Sequence, residues 1–255
     1  MPTRIVGGHE TNPHKYPWMA SLADSDLEPY CGATLINDRY VLTAAHCLPD
    51  TSVAKMRIIL GHHDLKKMRD ATVVHASKFI YHFRYQETDP VQKFDIALVR
   101  LKERVNYTDT IHPVCLPGRD TPTKDFRQLF VAGWGRIGEN QVVSDRLLEA
   151  VVPEVNMTEC YRLLHTSRVT PDHICAGNKT VDSCEGDSGG PLMTEVNGRV
   201  VQVGVVSWGV ACGHRVYPGV FTRISSYAWW ISENTPDAKY CNNKKPYNQF
   251  THTSC

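Results

Sequence analysis

The sequence predicts an all-β fold, and three observations carry that expectation. Apolar runs are short and rich in β-branched residues, as in Val200–Val206. Glycine and proline, at 17 and 15 copies, punctuate the chain often enough to separate many short strands. No internal repeat or low-complexity segment points to a solenoid or a disordered chain, so a sandwich or barrel is the expected architecture. At 255 residues the chain holds one large domain or two small ones. Its 42% apolar and 22% charged residues are an ordinary globular balance. A formal net charge of +1 gives no global field for nucleic acid or an anionic membrane. No apolar run reaches the roughly 18 residues a membrane span needs. One helix is legible near the end, over Tyr227-Ala228-Trp229-Trp230-Ile231-Ser232-Glu233.

Nine cysteines suit an oxidising compartment better than the cytosol. Three glycosylation sequons, beginning at Asn106, Asn156 and Asn178, point the same way. The cysteines lack zinc spacing, since no Cys-x-x-Cys occurs. The adjacent His62-His63 pair has no cysteine near it, and a solvated loop is the preferred reading over a metal site. No basic region followed by an apolar stretch opens the chain, so no signal peptide is legible. Residues 1–4 read as an expression start plus the stub of a removed pro-segment.

Three segments carry chemistry: Leu42-Thr43-Ala44-Ala45-His46-Cys47, then Phe94-Asp95-Ile96-Ala97-Leu98, then the ten residues from Asp182-Ser183-Cys184-Glu185-Gly186-Asp187-Ser188 to Gly189-Gly190-Pro191. Singly, a histidine after small apolar residues is more often a core residue, and an aspartate before an apolar run is often a cap. Together, in the order His, Asp, Ser, they match one of the known arrangements for nucleophilic catalysis. A serine hydroxyl is a poor nucleophile at neutral pH and needs a base to take its proton. An imidazole, with an ordinary pKa of about 6.5, suits that role.

On these motifs the chain resembles the chymotrypsin/trypsin family of serine proteases. The resemblance runs from Ile5-Val6-Gly7-Gly8 to about Trp230-Ile231. It implies two antiparallel six-stranded β-barrels and a C-terminal helix. The peptidase domain would span 5–235, with the first barrel ending near 115 and the second near 235, and 236–255 would form an irregular, surface-bound tail. It also implies the family's known mechanism, with His46 as base, Asp95 orienting it, Ser188 as nucleophile, and the N–H groups of Gly186 and Ser188 as the oxyanion hole. Cleavage after Arg4 would free the amine of Ile5 to pair with Asp187. Asp182 would sit at the base of the primary pocket and select arginine or lysine, with Ser183 helping to bind lysine. Gly209 and Gly219 would leave the pocket open, and Ser207-Trp208-Gly209 would pair with the substrate backbone as an added strand. Glu185 at the entrance would disfavour acidic substrates and so restrict specificity.

The resemblance further implies bridges Cys31–Cys47, Cys160–Cys175 and Cys184–Cys212. A fourth common bridge is missing at both ends, where Leu129 and Thr194 stand. Cys115 occupies a position that tethers a pro-segment or light chain in relatives. Cys241 and Cys255 would close the tail on themselves, or one of them would pair with Cys115; the sequence leaves both open. The basic stretch 62–69 replaces a carboxylate-bearing calcium loop, so no metal and no cofactor is expected. Its Lys66, Lys67 and Arg69 form either a solvated loop, the preferred reading, or an exosite for acidic partners. Pro218 replaces an aromatic found in sodium-regulated relatives. The chain between His46 and Gly61 runs a few residues long and would raise one wall of the cleft. Expected partners are protein substrates with Arg or Lys at the cut and protein protease inhibitors, acting on a secreted monomer. The rival functions are a catalytically dead binding protein on the same fold and, more weakly, an adhesion module.

Overall fold

The computed structural model describes residues 7–49, 51–86, 93–118, 121–136, 142–164, 169–178, 180–183, 186–210 and 217–240. Seven strands come first: β1 (His9–Glu10), β2 (Met19–Ala23), β3 (Pro29–Leu35), β4 (Tyr40–Thr43), β5 (Arg57–Leu60), β6 (Thr72–Tyr81) and β7 (Ala97–Leu101). Six of them close into an antiparallel barrel in the order β2-β3-β4-β7-β6-β5, with β5 returning to pair with β2. Closure removes every exposed edge. Leu22, Leu35, Ile58 and Leu98 point inward with no exposed surface. Each such side chain contributes about 1.5–3 kcal/mol on leaving water.

The second unit contains β8 (Leu129–Gly133), β9 (Leu148–Val152), β10 (Glu154–Val155), β11 (His173–Ala176), β12 (Pro191–Val196), β13 (Arg199–Trp208) and β14 (Gly219–Arg223). With β1 they form one eight-stranded antiparallel sheet, ordered β1-β9-β8-β12-β13-β14-β11-β10. The sheet curls into a half-barrel around Leu148, Leu192, Val201 and Phe221. Its two end strands are two residues long, too short to zip the edges together as β2 and β5 do. The double-barrel architecture expected from the sequence is therefore present with one barrel closed and the other curled. β1 precedes the first barrel in the chain yet pairs with β9 of the second unit.

Helix α1 (Met157–Leu164) begins at Asn156, whose Oδ1 accepts the Glu159 N–H at 2.9 Å. Helix α2 (Ala228–Asn234) follows a 3-10 turn at Ile224–Tyr227 and matches the helix expected there. Its Trp230 and Ile231 pack into the first barrel's core, so this helix ties the chain after β14 back to the first barrel.

The start of the tail departs from the expected surface-bound segment. Residues 236–240 have no regular structure, but Tyr240 is 5% exposed and lies in the first barrel's core. The Asp237 carboxylate accepts the Tyr40 hydroxyl at 2.6 Å and Arg100 Nη2 at 2.7 Å, and the Lys239 N–H donates to Asp38 at 2.8 Å. Residues 241–255, with Cys241 and Cys255, lie outside the described residues.

Candidate active site

The first barrel presents His46 on a single 3-10 turn, Ala45–Cys47, directly after β4. Asp95 precedes β7, the strand that pairs with β4, so neighbouring strand ends bring the two together. The Asp95 carboxylate is fully buried and accepts His46 Nδ1 at 2.8 Å and the His46 backbone N–H at 2.9 Å. This double contact fixes the ring's orientation and puts a proton on Nδ1, leaving Nε2 as the basic nitrogen. Burial pulls the His46 pKa down, but the Asp95 hydrogen bond and charge lift it more, and it ends above the ordinary 6.5. Phe94, at φ +57°, bends the chain before Asp95 and stacks on His82 at 5.2 Å.

The second unit completes the surroundings of Asp95. Ser207 Oγ donates to its Oδ2 at 2.5 Å, and Thr222 Oγ1 donates to its backbone carbonyl at 2.8 Å. Ser207 is the extra residue of a β-bulge, where Val206 pairs with Phe221 and Trp208 with Val220. A bulge re-aims a side chain, which is how a strand residue comes to face a carboxylate in the other unit. Neither Ser207 as a partner of Asp95 nor Thr222 was found by sequence reasoning, which gave Ser207 a substrate-binding role only.

Ser188 lies on the loop before β12. Its carbonyl accepts the Gly32 N–H at 2.8 Å, which anchors the loop to the first barrel. Cys47 Sγ lies 3.9 Å from His46 Nε2 and 3.7 Å from the Ser188 carbonyl oxygen, so serine and imidazole are neighbours. The loop is held by Gly189 N–H to the Val206 carbonyl and Gly190 N–H to the Asp187 carbonyl, both at 2.9 Å. Gly189 sits at φ +80°, and a Cβ there would meet Thr43 Oγ1 at 2.2 Å, so no other residue fits. The N–H groups of Gly186 and Ser188 donate to no other backbone group among the described residues. Asp187 turns inward, 3% exposed, and its Oδ1 accepts the Gly135 N–H at 2.8 Å. Side chains at Gly133 or Gly135 would strike this carboxylate, at 2.1 and 2.5 Å.

Asp182 is 3% exposed, and a Cβ at Gly219 or Gly177 would lie 2.9 or 2.7 Å from its Oδ1. Glycines at these two positions let the backbone approach this carboxylate closely. Ser183 beside it is half-buried, and Trp208 is half-buried at the end of β13. A Cβ at Gly209 would meet nothing within 4 Å, leaving that backbone open.

Cys31–Cys47 and Cys160–Cys175 are bridged, with S–S distances of 2.01 and 1.96 Å. The Cys184–Cys212 pair, Ile5 and Glu185 fall outside the described residues. Where the fourth bridge is missing, Thr194 Oγ1 donates to the Gln128 carbonyl at 2.6 Å, beside Leu129. Asn106, Asn156 and Asn178 are all exposed. Cys31, His46 and Cys47 form the only three-ligand grouping among the described residues, but its sulfurs are joined and His46 Nδ1 is on Asp95.

The His62-His63 reading needs correction, because neither residue is solvated. They are 6% and 8% exposed. His62 stacks on Trp134 at 4.3 Å, and its Nε2 lies 3.0 Å from Ser21 Oγ. Burial first, then the nearby His63 and His14, push its pKa down to about 4. His63 Nε2 meets Glu10 at 3.0 Å. The chain-distant partners Trp134 and Glu10 bury a pair that its basic neighbours had marked as surface.

A closed barrel and a curled sheet that set a histidine–aspartate pair beside a serine on a glycine-rich loop define the serine-protease class. A family model described as Trypsin matches residues 5–231. The chain belongs to the trypsin family of serine proteases. It is 38% identical over 250 residues to venom serine protease 34 of Apis mellifera, covering 94% of this chain and 60% of that protein. It is 38% identical over 264 residues to melanization protease 1 of Drosophila melanogaster, covering 91% and 65%. It is 34% identical over 241 residues to coagulation factor XI of Bos taurus, covering 91% and 38%. The chain thus spans less than two thirds of the length of each.

Proposed function

We propose that this chain is a secreted serine endopeptidase cleaving after arginine or lysine through an acyl-enzyme. The observation that carries the specificity is the buried Asp182 carboxylate packed against Gly177 and Gly219. A guanidinium or ammonium reaching this carboxylate pairs with Asp182, and a neutral side chain forgoes that charge pairing. Ser183 is placed to help an ammonium. Ser188 attacks the carbonyl while His46 Nε2 takes its proton and then gives it to the leaving nitrogen. Asp95 stabilises the imidazolium, and the Gly186 and Ser188 N–H groups receive the developing oxyanion. Ser207-Trp208-Gly209 pairs with the substrate backbone.

Activation belongs to the same reading. Cleavage after Arg4 frees Ile5, whose amine pairs with Asp187 in the cage that Gly133 and Gly135 leave for it. The peptidase domain is taken as 5–235, with the tail following. Two formed disulfides, nine cysteines and exposed sequons support secretion and glycosylation. Among the described residues no helix is long and apolar enough to cross a membrane. Protein inhibitors would compete for the cleft.

The test is hydrolysis of chromogenic peptides ending in Arg, Lys or Phe, with Ile5 freed and Ser188→Ala as control. Turnover of Arg and Lys peptides that disappears in Ser188→Ala is expected. No turnover with a free Ile5 terminus would overturn the reading and favour a binding protein on this fold.

A further inference from the structure

Asp95 stands at the tip of a three-residue turn, which the Ile96 N–H closes by donating to the Phe94 carbonyl at 2.8 Å. Phe94 enters the turn at φ +57°, a region that a bulky L residue rarely occupies. Asparagine or glycine would take that φ with less strain. Phe94 is only half-buried, so burial alone gives little reason for a phenylalanine there. A strained residue persists where its surroundings hold it, and the neighbour that holds this one is His82. His82 follows β6, whose last residue Tyr81 pairs with Ala97 of β7. It continues that ladder by donating its N–H to the Ile96 carbonyl at 3.2 Å. Its ring lies nearly parallel to that of Phe94, with centroids 5.2 Å and planes 10° apart. One residue thus grips both shoulders of the turn, Ile96 through its backbone and Phe94 through its ring.

We propose that His82 is a positioning residue for the peptidase reaction, its ring holding Phe94 in the turn that aims Asp95 at His46. The inference rests on the endopeptidase reading above. His82 acts through Phe94 and Asp95, not on the reacting atoms.

The ring is itself held from several sides. It is 7% exposed, meets Tyr227 edge-on at 5.1 Å and lies 5.5 Å from Trp230 of α2. Its Nδ1 accepts the Arg84 N–H at 3.3 Å, which sets the plane of the ring and leaves the proton on Nε2. The Arg84 guanidinium lies 4.9 Å over the Phe94 ring as a second hold on it. Burial, then the Arg84 charge, lowers the His82 pKa below the ordinary 6.5 against an upward pull from Asp172, so the stacked ring is neutral at pH 7.

The test uses protein with Ile5 freed and an arginine p-nitroanilide as substrate. His82→Ala removes the ring and keeps the backbone bond to Ile96. Its kcat is expected to fall about tenfold with KM unchanged, since a misaimed Asp95 affects the chemistry and not the primary pocket. Its acid limb is expected to move to lower pH, because a weaker Asp95 contact raises the His46 pKa less. His82→Phe restores the stack and is expected to bring kcat back to within about threefold of the parent. His82→Leu fills the volume without a flat ring and is expected to behave as the alanine variant does; it carries the test if that variant does not fold. Phe94→Asn suits the positive φ without a stack, so adding His82→Ala to it is expected to change kcat by less than about twofold. Lower thermal stability with kcat and acid limb unchanged would mark a purely structural residue and overturn the proposal, as would full recovery in His82→Leu. The proton resonance of His46 Nδ1–H, recorded without substrate, separates the two readings. No turnover in the parent, with that resonance shifted in His82→Ala, sinks only the endopeptidase reading. Normal turnover in the parent, with resonance and kcat unmoved in His82→Ala, sinks only this inference.

Discussion

The closed barrel and the curled sheet hold their halves of the site by different means. In the barrel, His46 and Asp95 stand at the ends of paired strands, and the Asp95 carboxylate is buried and saturated by His46 and Ser207. In the sheet, Ser188, Asp187 and Asp182 all come from one loop system. That loop is shaped by glycines and anchored by backbone bonds to Gly32, Val206 and Asp187 itself. Strand ends fix side chains through ladders that form whenever the barrel forms. Loops fix them only when every local contact is in place. The barrel half should therefore be ready-made, and the sheet half should be the half that can be switched.

The largest expected effect comes from breaking the barrel half. Asp95→Asn keeps the shape but loses the charge that holds the His46 tautomer, and kcat should fall by about ten-thousand-fold. The same pair predicts the acid limb of activity. His46 must be neutral to act as a base, and its pKa is raised above 6.5, so kcat/KM should be half lost at a pH above 6.5 and recover as pH rises. In Asp95→Asn the residual acid limb should move to lower pH, because burial then acts without the opposing charge. An acid limb unchanged by the substitution would show that Asp95 does not set the His46 proton affinity.

Next in size is a change that unsettles the sheet half while leaving the barrel intact. Gly135→Ala puts a methyl group 2.5 Å from the Asp187 carboxylate carbon, in a place the carboxylate already fills. Displacing Asp187 disturbs the loop carrying Gly186 and Ser188, and kcat should fall by about a hundred- to a thousand-fold, the scale of a lost oxyanion donor. The barrel is untouched, so the acid limb should stay where it is in the parent protein. A shifted limb with full kcat would invert the comparison.

The same division decides how much was legible in the sequence. His46, Asp95, Asp182, Asp187 and Ser188 announce themselves because each sits in a contiguous run whose composition the local chemistry demands. The double-barrel fold followed from short β-branched runs and the family resemblance. What stayed hidden lies across the barrel–sheet boundary. Ser207 reaches Asp95 from 112 residues away, and Thr222 from 127, through a bulge no local pattern marks. His62 and His63 look solvated beside Lys66 and Lys67, and only Trp134 and Glu10 bury and pair them. The Tyr240 anchor was missed because a lone aromatic in a polar tail carries no period. Long-range packing, not local preference, set each of these.

Ser207→Ala tests the boundary directly. It removes one donor from Asp95 and leaves the two His46 contacts, so the fold and the triad geometry should survive. Loss of a single charge-assisted hydrogen bond should cost about tenfold in kcat/KM. With one fewer donor the carboxylate is freer to attract the imidazolium, so the acid limb should rise slightly in pH. A loss as large as that of Asp95→Asn would mean the sheet, rather than the barrel, holds Asp95 in place.

The smallest effect should appear where the tail clamps the barrel, far from the chemistry. Asp237 is one-third exposed and joins Tyr40 and Arg100 of β4 and β7 to the segment after α2. Burial raises its pKa, but the Tyr40 and Arg100 hydrogen bonds and the Arg100 charge outweigh it, and it lies below the ordinary 3.8. A depressed folded-state pKa gives stability that is present above the unfolded value and lost as pH falls through the folded one. Asp237→Asn should therefore lower thermal stability at pH 7 by about 1 kcal/mol, with much of the pair's attraction screened by solvent. The difference from the parent protein should shrink as pH falls below the ordinary 3.8 and vanish once pH lies below the folded-state pKa. Turnover of an arginine peptide should be unchanged, since the clamp touches the outer ends of β4 and β7 and not the His46 turn. A fall in kcat in Asp237→Asn, measured well below its melting temperature, would show that the barrel half depends on the tail and is not ready-made.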